Sequence, residues 1–366
     1  MMDYSEISVR ALVSAFGFAA GLIFGATAQK THFCTMGGIS DMVLMGDTRR
    51  FRAWMLAAAV ALLGTQALWA LGYVDLSASI YRTPNFGWAG AIIGGLLFGY
   101  GMVLGNGCGN KTLVRLGAGN LKSLVVFLII AATAYMTLRG LLALARVQLE
   151  TNSNVALPVS QGLDDLLAGR IGLAPAKARW LLTLVLGGAV ALWCFKDSAF
   201  RASPRDWISG LVIGLLIPAG WFITGTLGHD DFEPAPVASF SFIAPIGDTL
   251  SYLMTYTGAS INFGIATVFG VAAGSFLMAV VTRTFRIEGF TSVQDMGRAM
   301  TGGVLMGIGG VLALGCTVGQ GITGVSTLAA GSFLALGSIV LGGCYGLKYL
   351  EEGSHLGAVR TLWARS

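Results

Sequence analysis

Three of the five cysteines in this 366-residue chain stand where an apolar run is interrupted: Cys34 in HFCTMGG, Cys108 in GNGCGNK and Cys316 in LGCTVGQG. Each lies just ahead of a short helical stretch. A helix that begins inside an apolar medium directs unpaired backbone N–H groups and the positive end of its dipole at its first residue, an arrangement that favours an anion. A thiol at that place adds a weak donor and a polarizable sulfur. It does not trap a dianion as lysine or arginine would, and passage through a pore needs binding that releases. Lys111, three residues after Cys108, is the candidate for drawing anions toward these points, because charges at membrane depth are costly and usually functional. Arg115 and Lys122 read as well as anchors that snorkel to a cytoplasmic interface, and Asp41 follows Cys34. Cys194 and Cys344 fall inside ordinary spans and read as small packing hydrophobes. His32 and His229 read as mouth or loop residues.

The elements that must position these residues belong in a membrane. Apolar residues make up 55% of the chain and charged ones 11%, against about 25% charged in a typical soluble protein, and the mean hydropathy is +0.73. An ordinary soluble enzyme is excluded. The 53 glycines follow no collagen period and form no low-complexity tract, so they must sit within helices. In the first apolar run Gly17, Gly21 and Gly25 have the small-xxx-small spacing that lets membrane helices approach closely.

The pattern predicts an all-α polytopic membrane protein. Nine spanning helices are expected at about 9–28, 53–71, 88–104, 121–145, 180–195, 207–227, 262–282, 299–314 and 332–349, each near the 20 or so residues a bilayer requires. Four shorter pieces, around Cys34, Cys108, residue 240 and Cys316, are expected as re-entrant half-helices. Residues 146–179 read as a polar loop. Basic clusters at Arg49, Arg50 and Arg52, at Lys196, Arg201 and Arg205, and at Arg283, Arg286 and Arg298 are expected on the cytoplasmic side. That puts the N-terminus outside and the C-terminus inside. The pieces around Cys34 and Cys108 then re-enter from the cytoplasm, and the other two from outside.

An internal repeat is directly visible. GGLLFGYGMVLGNGC at 94–108 and GGVLMGIGGVLALGC at 302–316 agree at nine of fifteen positions with an offset of 208. LGAG at 116–119 parallels LAAG at 328–331. A single membrane transport domain, 1–366, is expected: repeat 1 at about 9–145, a linker helix at about 180–195, and repeat 2 at about 207–350 entering the membrane upside down. Inverted repeats with broken helices meeting near the midplane recur among transporters.

Other chemistries fit poorly. An odd cysteine count with no C-x-x-C and no close Cys/His set argues against a disulfide framework or a metal site. Gly105 to Thr112 misses the phosphate-binding loop pattern by one residue, Asn110 in place of glycine, and follows a membrane span instead of a soluble strand. The breaks lack the Asn-Pro-Ala repeats of aquaporins. The +5 net charge is spent in short loops and does not suggest nucleic acid. Ala26-Thr27-Ala28 imitates a cleavage site, but the lead-in with Asp3, Glu6 and a single Arg10 does not read as a secretory leader.

GNGCGNKTLVRLGAGNLKSLVVF, GCTVGQGITGVSTLAAGS and FCTMGG resemble the YeeE/YedE family of sulfur-compound transporters, and the likeness covers nearly the whole chain. The resemblance implies a bacterial inner-membrane transporter, not an enzyme, with no cofactor. Its narrow hourglass path would pass thiosulfate between thiols, and the family's three functional cysteines match Cys34, Cys108 and Cys316. A cytoplasmic sulfur-carrier protein of the TusA type is implied as a partner. The fourth break, HDDFEPAPVASFSF, has no cysteine, and Ser239 or Ser241 is the expected polar substitute. Two alternatives stay open on the residues alone. One is another sulfur or selenium compound as cargo. The other is a membrane sulfurtransferase or thiol redox protein with a reactive, persulfide-bearing cysteine.

Overall fold

The computed structural model describes residues 8–172, 174–230 and 234–363, so part of the HDDFEPAP loop, residues 231–233, lies outside the described residues. The chain opens with α1 (Val9–Thr31), followed by α2 (Thr35–Ser40) and a π-turn to Met45. Next come α3 (Arg49–Ala70), α4 (Trp88–Leu104), α5 (Gly109–Gly117) and α6 (Leu121–Arg139). A connecting region follows, with α7 (Leu142–Ser153), α8 (Leu163–Ile171), α9 (Pro175–Lys196) and α10 (Ser198–Arg201). The second half holds α11 (Pro204–Phe222) with a π-turn to Leu227, α12 (Ile243–Met254), α13 (Phe263–Val281) and α14 (Val293–Leu312). A π-helical segment, Gly319–Gly324, then leads to α15 (Ala330–Glu352) and α16 (His355–Trp363).

The helix starts follow local chemistry. Asn120 accepts the Ser123 amide at 3.0 Å ahead of α6, Asn262 accepts that of Ile265 at 2.8 Å ahead of α13, and Ser292 accepts that of Asp295 at 3.1 Å ahead of α14. Each side-chain oxygen satisfies an N–H that the helix itself leaves orphaned. Proline stands in the first turn of α9 and α11, where its missing N–H costs nothing.

Among the described residues eight helical stretches are long and apolar enough to cross a membrane. The eighth expected span is the exception. α14 begins six residues before the expected Ala299, and its first two turns hold Gln294, Asp295 and Arg298, which lower its hydropathy. Two further boundaries differ. α6 ends at Arg139, before Gly140, and the expected loop at 146–179 is largely ordered into α7 and α8. A short antiparallel pair, β1 (Asn85–Phe86) with β2 (Val155–Ala156), ties that region to the α3–α4 connection.

Arg82 explains the order there. Its buried guanidinium pairs with Asp164 at 2.8 Å and Asp165 at 2.7 Å, donates to the Thr327 carbonyl at 2.8 Å, and lies 4.6 Å over the Trp69 ring. Asp164 and Asp165 also occupy the first turn of α8, where the helix dipole favours negative charge. Gln161 and Leu163 add backbone bonds to Ala330 and Leu328, both 2.9 Å. The connecting region is thereby pinned to the far end of the short segment that follows Cys316.

Glycine sets the packing of the long helices. α4 and α14 cross antiparallel: a Cβ on Gly94 would come 2.6 Å from the Gly309 carbonyl, and one on Gly302 would come 2.7 Å from that of Gly101. Under the 208-residue offset, Gly94 corresponds to Gly302 and Gly101 to Gly309. The repeated motif therefore packs against its own copy, and the two contacts exchange with each other. Larger pairings exchange in the same way, α1 on α13 with α11 on α3, and α4 on α15 with α14 on α6.

Candidate functional site

The breaks ahead of Cys108 and Cys316 are made by one device. α4 ends with Asn106 N–H on the Val103 carbonyl at 3.1 Å and Gly107 N–H on that of Met102 at 2.8 Å. α14 ends with Leu314 on Val311 at 3.0 Å and Gly315 on Gly310 at 2.8 Å. The six-to-one bond closes a Schellman cap, with Asn106 at φ 54° and Leu314 at φ 56° as the left-handed residues. The chain turns sharply and the next residue but one is the cysteine. His32, at φ 57°, ends α1 two residues before Cys34.

Cys34 and Cys108 are the N-cap residues of α2 and α5, and Cys316 immediately precedes the helical turn at Thr317. The Cys34 sulfur accepts the Gly37 amide at 3.5 Å, and the Cys316 sulfur accepts that of Gly319 at 3.4 Å. The Cys108 thiol instead donates to Asn110 Oδ1 at 2.6 Å. All three are buried. The three belong to one buried cluster. Segments separated by more than 200 residues thus meet in one buried cluster.

The fourth helix start arrives at the same place. Phe242, the N-cap residue of α12, belongs to the same buried cluster as Cys316. Phe242 is the 208-residue counterpart of Cys34. A fully buried aromatic ring stands at this position, 5.2 Å from the ring of Phe24. Ser239 donates to the Ile217 carbonyl at 2.8 Å, and Ser241 lines a cavity. The 208-residue offset from Cys34 points to Phe242 at the cysteine-free break.

Two cavities flank the thiols. One, of about 570 Å³, reaches Gly315 beside Cys316 and is lined mainly by apolar residues with Ser241, Asn262, Tyr81, Arg10 and Asp248. The other, of about 380 Å³, is strongly polar and includes His32, Asn106, Lys111, Arg115, Lys122 and Arg286 against Glu288 and Asp295. The three basic clusters gather at this second end. Arg52 pairs with Asp197 at 3.2 Å, and Gln29 donates to Thr284 at 3.5 Å.

The charged candidates separate in the structure. Asp41 pairs with Arg50 at 2.8 Å, Lys122 pairs with Asp295 at 2.5 Å, and Arg115 donates to the Asn106 carbonyl at 2.6 Å. The Lys122 ammonium holds the Asp295 carboxyl below its ordinary range. Among the described residues Lys111 makes no ion pair, and it lies within electrostatic reach of Cys34 and Cys108. Cys194 is remote from the cluster, packed with Ala53, Leu56 and Phe200, its thiol donating to the Arg52 carbonyl at 3.3 Å.

Residues 30–345 match the family described as Sulphur transport. The chain belongs to the sulphur-transport family. Among curated relatives, the thiosulfate transporter TsuA of Escherichia coli (strain K12) is 27% identical over 83% of this chain and 85% of its own length. TsuA of Spirochaeta thermophila is 25% identical over 83% of this chain and 89% of its own length. The probable transporter YedE of Escherichia coli is 34% identical over a shorter stretch, 26% of this chain and 22% of its own length. The resemblance read from the motifs around the cysteines therefore holds across most of the sequence. As a sulphur-transport protein the chain is a multi-pass membrane transporter and not an enzyme.

Proposed function

We propose that this sulphur-transport protein imports thiosulfate across the bacterial inner membrane. The anion is handed through Cys316, then Cys108 and Cys34, from the larger cavity to the basic one. The observation that carries this reading is the convergence of three buried thiols at helix starts between two opposed cavities. Amides and dipole ends at the helix starts compensate the desolvated charge, and thiols meet the soft terminal sulfur without holding it. The names of the two long-range relatives support thiosulfate as the cargo.

The larger cavity is then the outer mouth and the basic cavity the inner one, with the N-terminus outside and the C-terminus cytoplasmic. The basic clusters at the inner end agree with the positive-inside rule. The short helices are re-entrant halves of two inverted repeats joined through α9, a reading favoured by the antiparallel crossing of α4 with its counterpart α14. Lys111 draws the anion inward. The basic cytoplasmic mouth suits delivery to a TusA-like carrier.

The test is growth on thiosulfate as sole sulfur source of a bacterium lacking its own thiosulfate and sulfate importers. Wild type is expected to rescue growth, and Cys108→Ala, Cys34→Ala and Cys316→Ala at matched expression to abolish it. Absence of rescue by well-expressed wild type would remove thiosulfate as the cargo. Equal rescue by the three variants would reduce the cysteines to packing.

A further inference from the structure

The thiols account for only one end of the proposed cargo. Thiosulfate presents a soft terminal sulfur and three hard oxygens, and a thiol is a weak donor to oxygen. Buried polar groups in native proteins are nearly always hydrogen-bonded, and exceptions need an explanation. Two exceptions lie at the path cysteines. Asn110 is almost wholly buried, and its Oδ1 accepts the Cys108 thiol while its Nδ2 has no partner. Thr317, directly after Cys316, is fully buried, and its hydroxyl has no partner.

These donors come from opposite halves of the chain. Asn110 sits in the first turn of α5, and Thr317 directly follows Cys316. Neither has a counterpart at its repeat-related position, which is Val318 for Asn110 and Gly109 for Thr317. The pair therefore does not follow from the repeat. Thr35, directly after Cys34, is a third buried hydroxyl without a partner.

We propose that Asn110 Nδ2 and Thr317 Oγ1 are the specificity-determining donors to the oxygens of the passing sulfur oxyanion. They hold it at Cys108 with its terminal sulfur toward the thiols, an inference that rests on the transport reading above. Both donors stand unpartnered because their acceptor is the cargo. Hydrogen bonds to an anion are stronger than neutral ones, so each donor sets apparent affinity more than turnover.

The experiment measures radiolabelled thiosulfate uptake by the purified full chain in proteoliposomes. Thr317→Val keeps shape and removes the hydroxyl, Thr317→Ser keeps the hydroxyl and removes the methyl, and Asn110→Asp keeps the oxygen that accepts the Cys108 thiol. Thr317→Val and Asn110→Asp are expected to raise KM about tenfold with maximal rate per folded protein within about twofold, and Thr317→Ser to retain the wild-type KM. KM within about twofold of wild type for both donor-less variants overturns the proposal while the transport reading stands. So does a Thr317→Ser variant as impaired as Thr317→Val, because that pattern marks a packing role. Where Thr317→Val fails to fold, Thr317→Ala against Thr317→Ser decides in the same way. Absence of uptake by wild type removes the transport reading and this inference with it.

Discussion

At the residue scale, position distinguishes the five cysteines. Cys194 and Cys344 fill space between helices, whereas the other three cap or directly precede helix starts that meet. Cys194→Ala is therefore expected to leave thiosulfate uptake at the wild-type level, in contrast to the three path variants, and a loss as severe would break the distinction. Lys111 belongs to the same scale. Its uncompensated charge in a polar cavity attracts anions in a way that salt screens, with a Debye length of about 10 Å at 0.1 M. Lys111→Gln is expected to raise KM several-fold at low ionic strength and to differ little from wild type near 1 M salt. A salt-independent change would assign the side chain to packing.

At the scale of elements, the two Schellman turns place the same demand on different residues. Asn106 tolerates the left-handed conformation, whereas for leucine it costs about 1–2 kcal/mol. Leu314 is half exposed in the larger cavity, so little burial is lost by replacing it. Leu314→Gly is expected to stabilise the protein by up to about 1 kcal/mol after the entropic cost of glycine, read as a higher melting temperature in detergent. A lower one would mean that its contacts outweigh the strain. The Arg82 clamp is the opposite case. Removing one partner of a buried ion pair costs about 3–5 kcal/mol because the other charge is left unpaired. Arg82→Met is expected to lose that much in thermal unfolding, and Arg82→Met with Asp164→Leu to recover part of it. Equal stability of the single and double variants would show that Asp165 and Thr327 dominate the clamp.

At the scale of the molecule, lipid supplies no hydrophobic drive between helices, so close backbone approach has to supply the packing. α1 and α13 touch through Gly21, where a Cβ would come 2.6 Å from the Thr267 carbonyl. Gly188 in α9 has open space around it. Gly21→Leu is expected to remove most folded protein, judged by a monodisperse peak in size-exclusion chromatography, and Gly188→Ala to leave it unchanged or raised. Similar outcomes for the two would mean that the α1–α13 contact does not govern assembly. The exchange of contacts between the halves also means that a lesion at Gly94 acts on the same interface as one at Gly302.

Much of this was legible in the chain because its causes are local. Hydropathy and length mark the spans, and α4 runs from Trp88 to Leu104 as expected. Glycine-rich polar interruptions mark the breaks, since a cap is made by residues within one turn. The α7–α8 region was not legible, because its order depends on Arg82, about 80 residues upstream. The cysteine-free break was legible only in part, because serine is the chemically apt residue there, whereas packing puts Phe242 at the helix start and Ser241 on the cavity wall. That Asn110 and Thr317 are buried without partners was not legible at all. Sequence by itself determined which segments are helices, where they break and that thiols stand at three breaks, since each of these is set within a turn or two of backbone. Only the tertiary structure decided which breaks face one another and which buried donors are left without a partner, because those depend on how helices some 200 residues apart are packed.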